Sequence, residues 1–183
     1  MNLDIVILAA GRGTRMNSNI PKVLHQIGGD SLLGHVIATA SQLESEQVHI
    51  VVGNGAEQIK SEFSSQNELR WALQEQQLGT GHAVMQAMPS IDITKPEKCV
   101  LVLYGDVPLT NFSTLSKLVQ QASASTLCLL TLVTENPTGL GRIVRNSAGE
   151  ITAIVEEKDA SEAQKQIKEI NTGIMVIPAK KLN

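Results

Sequence analysis

Leu3-Asp4-Ile5-Val6-Ile7-Leu8-Ala9-Ala10-Gly11-Arg12-Gly13-Thr14-Arg15-Met16, with Pro21-Lys22 a few residues on, is the stretch that decides this chain. Leu3–Ala10 is aliphatic and rich in β-branched residues, which reads as a strand buried on both faces. It is too short to cross a bilayer and has no basic residues before it, so it is expected to be a core strand. In an α/β sheet, ligands sit beyond the carboxyl ends of the strands, so a ligand is expected at the loop that follows. Glycines at 11 and 13 let backbone approach a phosphate with no Cβ in the way. Arg12, Arg15 and Lys22 add three positive charges, and no Asp or Glu stands between Asp4 and Asp30. A polyanion is the natural partner, since Arg forks onto two phosphate oxygens and Lys acts as a mobile point charge.

Two other glycine loops are excluded. A dinucleotide fingerprint needs Gly where Met16 stands, and a P-loop needs that Gly followed by Lys, where Asn17 stands. A tight turn with no ligand is the plain alternative; the basic triad weighs against it.

Outward from this loop, apolar runs alternate with helix-like stretches. Strands are expected at Gln47–Val52, Arg70–Leu73, Val100–Tyr104 and Thr126–Thr134. Helices are expected at Leu32–Leu43 with Ser31 as N-cap, at Glu57–Phe63, from about Thr80 to Met88, and at Ser113–Gln121. The alternation predicts a mainly parallel sheet with helices on both faces. After about residue 135 the pattern becomes β-rich. Arg142–Arg145, Ile151–Val155 and Ile170–Ile177 read as strands, Ala148-Gly149 as a turn, and only Ser161–Lys168 as a helix. A last helix starts near Pro178. The apolar strand Ile170–Ile177 is expected to be poorly covered, as in a fragment of a longer domain, and an uncovered strand invites self-association.

The 183 residues are 42% hydrophobic and 18% charged, with a net charge of -3. That is an ordinary globular composition, with no bulk charge to suggest a nucleic-acid partner. One Trp, one Tyr and two Phe leave no platform on which bases would stack. Cys99 and Cys128 lie in strand-like runs and read as buried thiols of a reducing cytoplasm. No Cys or His pair has metal-ligand spacing. Neither a nucleic acid nor a membrane is expected as a partner.

Leu8-Ala9-Ala10-Gly11-Arg12-Gly13-Thr14-Arg15-Met16 with Pro21-Lys22 resembles the signature of the sugar-phosphate nucleotidyltransferases. Further blocks follow in the family's order: Gln74 with Gln77-Leu78-Gly79-Thr80-Gly81-His82, then Tyr104-Gly105-Asp106-Val107-Pro108. After them come Gly139-Leu140-Gly141-Arg142-Ile143, Ile154-Val155-Glu156 with Lys158-Asp159, and Glu169-Ile170-Asn171-Thr172-Gly173. More narrowly, the chain resembles the bacterial bifunctional N-acetylglucosamine-1-phosphate uridylyltransferases/glucosamine-1-phosphate acetyltransferases. The resemblance implies a Rossmann-like, glycosyltransferase A-like fold in which about residues 1–110 bind nucleotide and about 111–183 bind sugar.

It also implies roles. UTP and N-acetylglucosamine 1-phosphate would give UDP-N-acetylglucosamine and pyrophosphate by in-line attack on the α-phosphorus. Leu8, Ala9, Ala10, Gly11 and Gly13 would line the substrate, with Arg15 on the leaving pyrophosphate and Lys22 on the phosphates. Gln74, Gln77, Gly79 and Thr80 would meet the uracil. Tyr104, Gly105 and Asp106 would close the phosphate end, with Asp106 holding Mg²⁺, which commonly takes one or two protein carboxylates plus substrate phosphates. Gly141, Glu156 and Asn171 would contact the amino-sugar. In the family a second metal ligand, an Asn, falls beyond residue 183, as do the acetyltransferase repeats and the homotrimer they build. This chain alone is therefore expected to bind nucleotide weakly and turn over little.

Plainer readings stand beside these. Asp106 could cap a helix or form a turn in the Asp-Val-Pro segment. Gln77–Gly81 could be a glycine turn with Thr80 capping a helix. His82 reads as structural, with no acid–base partner visible, and Glu157 and Asp159 as a solvated bend. The competing functions are a sister nucleotidyltransferase with another base or acceptor, and a nucleotide-sensing module without catalysis.

Overall fold

In the computed structural model, which describes every residue except Met1, Arg12, Thr14, Arg15, Asn17 and Asn183, the first aliphatic run is β1, Asn2–Ala9. From Leu3 onward it is buried residue after residue, as a strand covered on both faces must be. Its parallel neighbours are β4 (Gln47–Val52) and β6 (Lys98–Tyr104), and β5 (Leu69–Leu73) lies parallel outside β4. One face of these strands carries Val6, Leu8, Val51, Val100 and Val102. It packs on Ala83, Val84 and Ala87 of helix α3 (Thr80–Ala87). Helix α1 (Leu32–Ala40) also packs on β1, burying Leu33, Val36, Ile37 and Ala40 outside that cluster. Each aliphatic side chain so removed from water contributes about 1.5–3 kcal/mol before entropy is counted.

Helix starts follow local chemistry. Ser31 is the N-cap of α1, its Oγ accepting from Gly34 N at 3.0 Å. Asn111 caps α4 (Phe112–Gln121) by accepting from Thr114 N at 2.9 Å. Gly55, at φ +75, opens α2 (Ala56–Glu62). A small hairpin not foreseen in the sequence, β2 (Gln26–Ile27) with β3 (Asp30–Ser31), turns at Gly28 and Gly29, both at positive φ. Paired positive φ values are what a two-residue hairpin turn of this hand requires.

The chain divides into two compact units, one of residues 1–128 with 175–183, the other of residues 129–174. The second holds most of β7 (Cys128–Val133), then β8 (Arg142–Arg145) antiparallel to β9 (Ile151–Val155). It also holds the start of β10 (Glu169–Pro178), which pairs with β8 through Ile170 opposite Arg142. The end of β10 lies in the first unit, antiparallel to β6 with Met175 opposite Val102. The first unit thus has a mixed, mainly parallel sheet.

Two expectations are corrected. The stretch 161–168 is helical only over α5, Glu162–Lys165, capped reciprocally by Ser161 and Gln164. The helix stops because Lys168 O accepts from Thr134 N at 3.0 Å, which draws the chain into extended pairing. The last apolar strand is not left uncovered: Ile174, Val176 and Ile177 are buried, and a short 3-10 helix, Ala179–Lys181, does begin after Pro178 as expected. Ile177 and Ala179 join the core beside α3, so the case for self-association through a bare strand loses its basis. No helix of the described residues is long and apolar enough to cross a membrane.

Candidate functional site

Beyond Ala9 the chain leaves the sheet through Ala10 and Gly11. A Cβ at Gly11 would meet nothing within 4 Å, so its bareness leaves the backbone open to a ligand. Gly13 is needed on two other grounds. Its φ is +59, and a Cβ there would sit 2.8 Å from Lys22 Cβ. Lys22 begins a single 3-10 turn, Lys22–Leu24, entered from Pro21. Arg12 and Arg15, the other two charges of the expected triad, lie outside the described residues.

Asp106 comes to the same edge from β6. Gly105 N donates to Leu8 O at 2.9 Å, and a Cβ on Gly105 would press on Leu33, Leu8 O and Val23 at 3.2–3.3 Å. The strand end can therefore lie flat against β1, which delivers Asp106 beside the glycine loop. Its carboxylate is ion-paired with Lys22 Nζ, with side-chain exposures of 27% and 40%. The reading of Asp106 as a helix cap is overturned, because Asn111 performs that role for α4.

The third wall follows β5. Gln74 N donates to Val52 O at 2.8 Å, and the residue is only 4% exposed. Its Nε2 donates to Gly79 O at 3.1 Å and lies 3.0 Å from His82 Nδ1. Gln77 Nε2 donates to Ala10 O at 2.6 Å, tying this loop to the glycine loop. Thr80 is the first residue of α3 and does not cap it; the N-cap position is Gly79, at φ +100. Burial pushes the thiols of Cys99 and Cys128 above their ordinary range, so both free cysteines are poor nucleophiles.

These walls enclose one cleft. Leu8, Ala9, Ala10 and Gly11 form one side, Gln74, Gln77, Gly79 and Thr80 another, and Tyr104, Asp106 and Lys22 the third. Val23 and Ala83 also line it and were not foreseen, although Ala83 stands three residues from Thr80 and so shares its helix face. Gly13 and Gly105 support the walls rather than line them.

Within the second unit, Gly141, Glu156 and Asn171 come together. A Cβ on Gly141 would lie 3.2 Å from Glu156 Oε1, and Asn171 N donates to Gly141 O at 2.8 Å. Asn171 Oδ1 accepts from Gly173 N at 2.8 Å. Glu157 is not a solvated bend residue. It accepts from the fully buried Arg142 at 2.6 Å and from Gly139 N at 3.2 Å, and the Arg142 contact holds its carboxyl below the usual range. Asp159 is exposed, as expected.

A family model, the MobA-like NTP transferase domain, matches residues 5–169. The chain belongs to the MobA-like NTP transferase family. Among curated relatives it is 56% identical over 182 residues to the bifunctional protein GlmU of Pseudomonas entomophila and 52% identical to that of Azotobacter vinelandii. In both cases the whole chain is covered but only 39% of the relative, so the chain spans about two fifths of the length of these relatives. Among solved structures, HddC from Yersinia pseudotuberculosis complexed with GMP-PN superimposes with a TM-score of 0.75 at 21% identity, covering 98% of this chain and 78% of that one. A UDP-glucose pyrophosphorylase complexed with UDP-glucose gives 0.73 at 19%, covering 100% and 78%. At such identities these two show a shared fold. This NTP transferase chain thus has the Rossmann-like nucleotidyltransferase architecture, with its cleft beyond the carboxyl ends of β1, β5 and β6.

Proposed function

We propose that this chain is the uridylyltransferase part of a GlmU-like protein, joining UTP and N-acetylglucosamine 1-phosphate into UDP-N-acetylglucosamine with release of pyrophosphate. The observation that carries this reading is the single cleft in which a fixed amide, Gln74, stands across from a cation and a carboxylate, Lys22 and Asp106. An amide and backbone groups suit the hydrogen-bonding edge of a pyrimidine. Lys22 suits phosphate.

Asp106 suits Mg²⁺ as a hard oxygen donor at the cleft wall, and it is the carboxylate among the described residues that line the cleft. Mg²⁺ commonly takes one or two protein carboxylates and further oxygens from substrate phosphates, so Asp106 would be this chain's share of the metal's ligands. The metal would neutralise charge on the triphosphate. In this reading Lys22 exchanges Asp106 for phosphate oxygen when nucleotide enters, and Arg15 steadies the departing pyrophosphate. A sugar-phosphate oxygen forms the new bond to the α-phosphorus as the bond to pyrophosphate breaks. The attacking oxygen is already anionic, so no general base is required, and catalysis is positioning plus charge neutralisation. Gly141, Glu156 and Asn171 hold the amino-sugar, and the reaction is placed in the cytoplasm, in keeping with two free thiols.

The test measures UTP binding by this chain. It also measures pyrophosphate release with Mg²⁺ and N-acetylglucosamine 1-phosphate, in the chain and in a protein of the relatives' full length that carries it. Uridine preference with acceptor-dependent release supports the reading. Tight nucleotide binding without release in either form would favour a sensing module, and CTP or GTP preference a sister transferase.

A further inference from the structure

His82 has no place in that mechanism, yet it touches the residue assigned to the base. We infer that His82 is a specificity-positioning residue: it locks the Gln74 amide so that only its oxygen is offered to the base, which selects uracil over cytosine. The inference rests on the proposed uridine reading and deepens it.

The argument starts from the Gly79 carbonyl. A carbonyl oxygen only accepts, so the Gln74 atom 3.1 Å from Gly79 O must be the amide nitrogen. That same nitrogen lies 3.0 Å from His82 Nδ1. An NH₂ group aimed at a ring nitrogen donates to it, so Nδ1 carries a lone pair and the ring hydrogen is on Nε2. Nε2 faces the Gln86 amide at 3.2 Å. The Gln86 nitrogen also lies 3.1 Å from His82 O, so with the ring hydrogen on Nε2 the Gln86 amide must turn its oxygen to the ring and give up that contact; Gln86 is half-buried on the flank of α3, where water can replace it. Gln74 cannot do the same. It is 4% exposed, and turning its amide over would set oxygen against both the Gly79 carbonyl and the Nδ1 lone pair.

Both Gln74 amide hydrogens are therefore engaged, and Oε1 is the atom this side chain has left for the cleft it lines. An acceptor there pairs with the N3–H of uracil. Cytosine presents a lone pair at N3, so the two acceptors would oppose each other in a desolvated wall. Without His82, one amide hydrogen loses its partner and the amide can turn over, presenting NH₂ to cytosine N3. Uracil preference is then a property of the pair, not of Gln74 alone.

The experiment measures binding of UMP, CMP and 3-methyl-UMP to the chain by calorimetry, in the unmutated form and in His82→Phe and His82→Asn, with circular dichroism to verify folding. The unmutated chain should prefer UMP and should discriminate against 3-methyl-UMP, whose N3 has no hydrogen to donate. His82→Phe keeps a flat ring but no acceptor, and should shrink the UMP-to-CMP preference about tenfold, mainly through better CMP binding. His82→Asn can place an oxygen near the old Nδ1 position and should restore most of the preference. Imidazole nitrogen shifts in the unmutated chain should report an unprotonated Nδ1, a readout that needs no variant. A folded His82→Phe chain with the parent's preference, or a ring protonated at Nδ1, would overturn the inference while leaving the uridine reading intact. If the unmutated chain ignores uridine nucleotides altogether, the underlying reading falls and takes this one with it.

Discussion

The two ends of β1 and β6 treat polar groups in opposite ways. At their start, Asp4 and Lys98 are almost wholly buried and answered from within the protein. Lys98 Nζ donates to Asp4 at 2.7 Å and to Glu46 at 2.6 Å, and His49 Nε2 lies 3.3 Å from the other Asp4 oxygen. His49 Nδ1 in turn sits 3.0 Å from Ser90 Oγ. At their finish, Asp106 and Lys22 are paired with each other at a cleft with solvent access. The same strands thus carry a closed network that holds the fold and an open one that a ligand can complete. Polar groups satisfied internally stabilise; polar groups left waiting bind.

Breaking the closed end should have the largest effect. Lys98→Met strands a buried Asp4 carboxylate, and removing one partner of a buried ion pair costs about 3–5 kcal/mol. Urea unfolding should show that loss, while uridine affinity per folded molecule stays unchanged. A midpoint that barely moves would mean the network is solvated. At the open end, Asp106→Asn should leave stability nearly untouched and lower transfer by about 10²–10³, measured as pyrophosphate release in the full-length setting. Retained Mg²⁺-dependent turnover would place the metal elsewhere.

Gly13→Ala sharpens the contrast further. At φ +59 an alanine is strained by about 1–2 kcal/mol, and its Cβ must also displace Lys22 Cβ from 2.8 Å. Nucleotide affinity should fall more than the unfolding free energy does; equal losses would show the loop to be merely structural.

Acid should weaken the closed contacts more gradually. Burial alone would raise the Asp4 carboxyl, but the His49 and Lys98 hydrogen bonds outweigh it and hold it below its ordinary value of 3.8. Glu169, bonded by Arg145, is lowered from 4.5 to about 2. For depressed carboxyls the unfolded chain binds protons first, so stability present near neutrality is lost as pH falls through this range. Lys98 is raised because Asp4 and Glu46 overcome its burial, so its contribution persists below 10.5 and fades only above it. The urea midpoint should therefore decline from about pH 4.5 downward. A flat midpoint to pH 3 would contradict both assignments.

Much of the open end was legible in the sequence because its chemistry is local. A glycine loop after a strand, and an acid directly after a strand-ending Tyr-Gly, both announce the sheet's ligand edge. The closed end was not legible. Asp4, His49, Ser90 and Lys98 come from four segments, and nothing near any of them names the others. The same non-locality hid the partner of His82 eight residues away across a turn, and the tie between Glu157 and Arg142. Helix α5 was read too long for a related reason, since pairing between residues 134 and 168 overrides the helical pattern of residues 166–168.

The bond from Gln77 Nε2 to Ala10 O has a consequence for the entropy of recognition. It joins the loop proposed to meet the base to the loop proposed to meet the phosphates before any ligand arrives. The freedom those two segments would have as separate flaps is surrendered once, when the chain folds. A nucleotide entering the cleft therefore has less disorder to remove, and more of its contact energy remains as affinity. Base and phosphate, bound as separate fragments, would then each help the other by stiffening a shared frame.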